Sequence, residues 1–276
     1  MTGFLFLKYK RKGFKMKKDI FTESQKLSNI VSKIRSVLFK HDFYELFPPS
    51  ITKYSENLIK GLKFADGRNF YLLKPDVTSW LIDMDKVEEK EKVFYISEVL
   101  DENLSGVWQF GFEILNGEEV KIEEEILRLT IEILSLLDIK NFFIDVSSIR
   151  SWERILKAVP QYRDKILRAV ELRNFEIIEN LPLDEGVKAS IATLFNYRGK
   201  ETNIPKLNTI IKNINDPRIY IDLGTMKYMN YYEDVVFEIY SPDNGYLLGN
   251  GGQYKINGKY SCGMALNLDI IGEMMR

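Results

Sequence analysis

The sequence has one cysteine, Cys262, and one histidine, His41. A single thiol can build neither a disulfide framework nor a CxxC zinc site, and a single imidazole has no second to share a metal. Cys262 lies in an apolar run, where a free thiol is usually core. His41 reads as a surface or helix-end residue. No apolar run approaches the roughly 20 residues needed to span a bilayer. Neither charge is in excess: 39 Lys and Arg face 40 Asp and Glu, for a formal net charge of -1. The basic surplus normal for a nucleic-acid binder is therefore missing from the whole-chain balance. There is no internal repeat and no low-complexity linker.

What is present is a chain of 276 residues, 45% hydrophobic, long enough to bury a large core as one domain or as a domain with an insertion. Residues 1–17 place an apolar patch before a basic one, the reverse of a signal peptide. They read as a basic tail, with Met16 as an alternative start, and the expected location is the cytoplasm. Residues 19–40 recur at helical spacing through Ile20, Phe21, Leu27, Ile30, Val31, Ile34, Val37 and Leu38. Pro48 and Pro49 end the extended segment that follows. Residues 62–73 alternate around Asp66-Gly67 as a hairpin. A helix is expected over 75–90, a second hairpin from "KVFYISEVL" and "VWQFGFEIL", a long helix over 118–137 and a strand at "NFFIDVSS". Residues 149–216 change character and read as a helical insertion between core segments 18–148 and 217–276. Strand patterns return at "RIYIDLGTM", "DVVFEIYSP" and "YLLGNGGQY", and the last element, residues 263–275, is expected as a helix. Antiparallel strands with interspersed helices give an α+β class rather than alternating βαβ.

Several of these stretches fall in one order: "FYELFPPSI", "LLKPDVTSWL", "VFYISEVL" with "WQFGFEILN", "YYEDVVFEIYSP", "GGQY" and "CGMALNLDIIG". Order and spacing resemble the catalytic core of the histidyl-tRNA synthetases over about residues 19–276. The resemblance implies a class II aminoacyl-tRNA synthetase-like core, an antiparallel sheet flanked by helices with a helical insertion. The segment ending in Pro49 resembles motif 1, which builds the homodimer interface. Residues 94–115 resemble motif 2, and residues 263–276 the end of motif 3.

The departures fall at the positions that handle ATP. Activating an amino acid builds charge on phosphoryl oxygens, so the site needs fixed cations aimed at them. Where the family carries a Phe-Arg pair in motif 2, this chain has Leu100 and Asp101, and where it carries arginines before the Tyr pair and in motif 3, this chain has Lys227 and Ile270. Removing one such donor typically costs about 3–4 kcal/mol, so ATP activation is expected to be lost. The family also continues into an anticodon-binding domain where this sequence stops, so no nucleic-acid partner is expected.

The amino-acid side of the family's site is matched by Asp76 (Glu in the family), Thr78, Gln109, Glu113, Tyr231, Tyr232 and Tyr254. A carboxylate, a hydroxyl and an amide carbonyl can take the three protons of an α-ammonium, and a second carboxylate with a tyrosine can engage an imidazole. Gln109, Gly111 and Glu113 alternate onto one strand face, where the glycine leaves room for a ligand. Gly251 and Gly252 are expected to do the same from a neighbouring strand. Each residue also has an ordinary reading, as a paired core carboxylate or as strand-forming tyrosines.

A synthetase core of this kind, without activation residues, is similar to the regulatory subunits of ATP phosphoribosyltransferase. That likeness implies a non-catalytic subunit in histidine biosynthesis. Its partners would be the short-form catalytic subunit and a second copy of itself, and histidine would be its feedback effector. No cofactor, metal or catalytic group is expected. A minimal histidine-activating enzyme and a stand-alone histidine-binding module are the alternatives.

Overall fold

The computed structural model describes residues 20–58, 60–84, 87–100, 106–226 and 231–275. In chain order these form α1 (Ile20–Lys40), β1 (Tyr44–Glu45), β2 (Ile51–Lys53), β3 (Leu62–Ala65), β4 (Phe70–Leu73), α2 (Val77–Met84), β5 (Glu91–Leu100), β6 (Gly106–Leu115), α3 (Lys121–Leu136) and β7 (Phe143–Ser148). There follow α4 (Arg150–Ala158), α5 (Arg163–Glu171), α6 (Glu176–Glu179), α7 (Glu185–Phe195), β8 (Arg198–Gly199), α8 (Pro205–Ile214), β9 (Ile219–Asp222), β10 (Val235–Tyr240), β11 (Leu247–Ile256), β12 (Lys259–Asn267) and α9 (Leu268–Met274).

A nine-stranded sheet runs β1-β5-β6-β12-β11-β10-β7-β9-β8, and β2-β4-β3 form a separate small sheet. The central pairs, from β5 to β7, are antiparallel; β1 with β5 and β7 with β9 are parallel. One face of the large sheet carries the main core. In α3, Ile122, Ile126, Leu129 and Ile133 recur at helical spacing and are buried on this face with Phe110, Phe112, Phe237 and Leu266 of the strands. Truncating a ring such as Phe112 to Ala would cost about 3–5 kcal/mol. The alternate residues of the same strands face the other way, and there the core is small: Val77 and Leu81 of α2 lie against Tyr95, Tyr254 and Ile256. This asymmetry leaves room for a site on the second face.

The stretch after β7 is predominantly helical. Trp152, Ile166, Val170, Ile178 and Ile191 of α4 to α7 make a core of their own. By contrast Leu207, Ile210 and Ile214 of α8 join the main core, and β8 pairs with β9.

Three details differ from the sequence reading. Residues 263–267 belong to strand β12, and the last helix starts at Leu268. The run is apolar because both faces of β12 are covered, which hides the period of two. Asn267 ends the strand, its side chain accepting the Ile270 N–H at 3.1 Å. The helix expected over 75–90 stops at Met84. The carbonyls of Val87 and Glu89 accept from the Asn116 amide at 2.6 and 3.1 Å, which holds that stretch out of a helix. Phe21, placed on the apolar face of α1, is 79% exposed. Residues 1–17 lie outside the described residues.

Candidate functional site

On the second face, Asp76 caps the start of α2. Pro75 precedes it, and the Asp76 carboxylate accepts the Ser79 N–H at 3.0 Å, as a helix-capping side chain does. The cap aims Asp76 at β6 and β11, and Thr78, two residues on, also lines the cleft. Thr78 donates to Glu113 Oε1 at 2.9 Å, and Tyr254 donates to Glu113 Oε2 at 3.0 Å. Tyr231 lies 3.4 Å from Asp76 Oδ2 and packs edge-on against Tyr232 and Tyr254. The seven residues singled out in the sequence, Asp76, Thr78, Gln109, Glu113, Tyr231, Tyr232 and Tyr254, all line this one pocket.

Register explains how. Gln109, Gly111 and Glu113 share one face of β6, and Glu113 stands directly opposite Gly263 of β12. A Cβ at 263 would lie 1.5 Å from Glu113 Oε2, so the carboxylate occupies the space a side chain there would need. The neighbour of β6 is therefore β12. Gly251 and Gly252 lie one strand further on, and a Cβ at 252 would meet the Tyr232 ring at 2.8 Å. The glycines were expected to leave space for a ligand. Gly111 instead admits Tyr95, its cross-strand partner, whose ring would lie 2.2 Å from a Cβ at 111.

The sequence reading missed Tyr95, Asn250 and Gly263, which also line the pocket. Tyr95 and Gly263 became visible only with the register. A tyrosine beside a glycine across two strands is a known pairing, but the sequence does not say which glycine it faces.

The electrostatics are one-sided. Asp76 and Glu113 are 6% and 2% exposed. Their partners among the described residues are hydroxyls and a backbone N–H, with no lysine or arginine among them. Burial pushes the Glu113 carboxyl up to about 8; the Thr78 and Tyr254 hydrogen bonds oppose this and the nearby Asp76 charge adds to it. Tyr95, Tyr231, Tyr232 and Tyr254 are all raised, chiefly by burial, with the Glu113 carboxyl adding to each and Asp76 to the first three, so they stay neutral donors. Lys60 is at the exposed rim. The free space among the side chains is ≈ 30 Å³, room for a water or two. Chemically the pocket suits a small cation with several N–H donors. No group of three or more metal-type ligands occurs among the described residues.

The histidyl-tRNA synthetase family model matches residues 21–271. The chain belongs to the histidyl-tRNA synthetase family. Within the family its relatives include proteins named ATP phosphoribosyltransferase regulatory subunit. That of Clostridium novyi (strain NT) is 25% identical, over 95% of this chain and 75% of the relative. That of Thermoanaerobacter pseudethanolicus is also 25% identical, over 86% and 74%. The same fold is found in an ATP phosphoribosyltransferase regulatory subunit/histidyl-tRNA synthetase from Bacillus halodurans, with a TM-score of 0.79, 18% identity and coverage of 100% of this chain and 84% of that one. It recurs in the ATP phosphoribosyl transferase (HisG:HisZ) complex from Thermotoga maritima, with a TM-score of 0.71, 20% identity and coverage of 87% and 96%.

Two of the family's departures can be placed. Leu100 ends β5, and Ile270 packs from α9 against the main core. Asp101 and Lys227 lie outside the described residues. No helix among the described residues is long and apolar enough to cross a membrane.

Proposed function

We propose that the chain is the regulatory subunit of an ATP phosphoribosyltransferase and binds histidine in the pocket between α2, β6, β11 and the Tyr231–Tyr232 arm. The observation that carries this reading is the buried pair Asp76 and Glu113, held by hydroxyls and paired with no cation among the described residues. A buried carboxylate without a counter-charge is costly, and an incoming ammonium or imidazolium relieves that cost. Asp76, Thr78 and Gln109 are the acceptors for an α-ammonium, Glu113 with a tyrosine serves the imidazole, and the rim Lys60 is available to the α-carboxylate.

Phosphoribosyl chemistry is assigned to the short-form catalytic partner. Ile270, apolar where a synthetase arginine stands, supports a chain that does not activate histidine with ATP. Histidine regulates only through unequal affinity for two conformations, and feedback on the partner then amounts to a coupling of about 1–3 kcal/mol. The helical residues 149–216 are read as an insertion, the segment through Pro49 as the homodimer contact, and the assembly as cytoplasmic and free of nucleic acid. Exposed Phe47, Ile51 and Phe70 around that segment fit a contact surface.

Calorimetry with histidine on the purified chain and on Glu113→Ala tests the pocket, and equal affinity in the two removes it. Mixing the chain with the short-form catalytic subunit and following phosphoribosyl transfer tests the partner. Histidine-dependent ATP–pyrophosphate exchange by the chain alone would overturn the non-catalytic assignment.

A further inference from the structure

The helix-covered face of the sheet holds a second buried polar cluster that the histidine site does not use. Its centre is Lys206, the second residue of α8. A cation in the first turn of a helix opposes the helix dipole, and this one is largely buried, its side chain 16% exposed. Three carboxylates offset that cost. Lys206 Nζ lies 2.7 Å from Glu119, 3.3 Å from Asp234 and 3.4 Å from Glu123. It also donates to Gln253 Oε1 at 3.3 Å, and the Gln253 amide donates to Glu123 at 2.7 Å and to Glu119 at 3.2 Å.

Two members of this cluster connect directly to the pocket. Gln253 precedes Tyr254 on β11, so one strand presents the cluster's amide on one face and the pocket's tyrosine on the other. Asp234 follows the Tyr231–Tyr232 pair by two residues, and Ser148 also donates to it. Between them Glu233 N–H donates to the Gln253 carbonyl at 2.9 Å, and its side chain pairs with Lys255 at 3.2 Å. The tyrosine arm is thus anchored at its C-terminal end by Asp234. The space beneath it is small, ≈ 30 Å³, and Tyr231 and Tyr232 form one side of it.

We propose that Lys206 is the positioning residue that sets the Tyr231–Tyr232 arm over the pocket, by holding Asp234 together with Glu119 and Glu123 on the opposite side of the sheet. The latch makes α8 and the start of α3 respond to whether the pocket is filled. A ligand that lifts the arm pulls on Asp234, and a change at α8 alters how firmly the arm is held. This deepens the proposed histidine site and rests on it only for the ligand half of the test.

The test is hydrogen exchange by mass spectrometry on the full chain, with and without histidine, for wild type, Lys206→Met, Lys206→Arg and the milder Asp234→Asn. Without ligand, Lys206→Met is expected to raise exchange in peptides over residues 231–236 by about tenfold while those over β6 and β12 stay unchanged, the size of a typical coupling. Asp234→Asn moves the same peptides the same way, and Lys206→Arg, which keeps the cation, restores most of the protection. Histidine affinity falls about tenfold in Lys206→Met and recovers in Lys206→Arg. A uniform rise across the sheet, or an arm whose exchange ignores both variants, overturns the latch. If wild type takes no histidine while the arm still loosens in the variants, the latch stands and the histidine reading falls.

Discussion

Glu113 and Glu123 are both almost fully removed from solvent, at 2% and 0% exposure, and lie on opposite faces of the same sheet. Their surroundings differ in one respect. Glu123 has Lys206 at 3.4 Å and the Gln253 amide at 2.7 Å, within a cluster that contains its own cation. Glu113 has two hydroxyls and a second carboxylate nearby. Burial raises both carboxyls, but only for Glu123 does a lysine pull the other way. A carboxylate that finds its cation inside the fold serves the fold. One that is buried, aimed into a cleft and left without a cation is poised to receive one from outside.

The same substitution on each face tests that contrast. Glu113→Gln keeps shape and removes charge, and histidine affinity is expected to fall about 10- to 100-fold, the range for losing a hydrogen bond to a charged group. Its thermal midpoint should hold or rise, because a buried ionisable group has gone. Glu123→Gln leaves Lys206 its pairs with Glu119 at 2.7 Å and Asp234 at 3.3 Å, so affinity is expected to fall far less than in Glu113→Gln. Equal losses of affinity in the two variants, read by calorimetry, would erase the distinction between the faces.

Gly263 sharpens the comparison from the backbone side. A methyl there would sit 1.5 Å from Glu113 Oε2, whereas a Cβ at Gly272 meets nothing within 4 Å. Gly263→Ala is expected to cost about 1–3 kcal/mol in urea denaturation, the range for overpacking a tight site, and to weaken histidine binding by displacing the carboxylate. Gly272→Ala should do neither. A Gly263→Ala chain of normal stability and affinity would mean that Glu113 does not rest on β12.

The two faces were not equally legible in the sequence. Periods of two and 3.6 are local, so the strands around Gln109, Gly111 and Glu113, and the helix through Ile122, Ile126 and Ile133, could be read from spacing. So could the identity of the pocket residues, because each lies in a short stretch whose order resembled a family. Register could not be read. That Glu113 faces Gly263, or Tyr95 faces Gly111, depends on strand neighbours separated by sixteen to one hundred and fifty residues. The Lys206 cluster was invisible for the same reason, since it gathers residues from α8, the start of α3, β11 and the residue before β10. The strand at 263–267 was misread because a strand covered on both faces loses its alternation.

The smallest effect follows the titration of Glu113 itself. With its carboxyl at about 8, Glu113 is mostly protonated at pH 7. Histidine's α-ammonium, bound in the same pocket, favours the ionised form, so with the imidazole bound neutral, as it mostly is at pH 7, binding should release close to one proton, seen as a dependence of the calorimetric heat on the buffer's ionisation enthalpy. Raising the pH from 7 to 8 takes the ionised fraction from about one-eleventh to one-half, which strengthens apparent affinity about fivefold. The folding linkage has the opposite sign. A carboxyl raised on folding contributes stability that is complete below the unfolded value of 4.5 and is lost as pH climbs through about 8. Wild type should therefore lose stability relative to Glu113→Gln over that window while gaining affinity for histidine. Glu113→Gln should show neither proton release nor the fivefold gain. Were both to persist in the variant, the titrating group would be the ligand's own imidazole or another acid, and the unbalanced carboxylate would no longer distinguish this face of the sheet from the other.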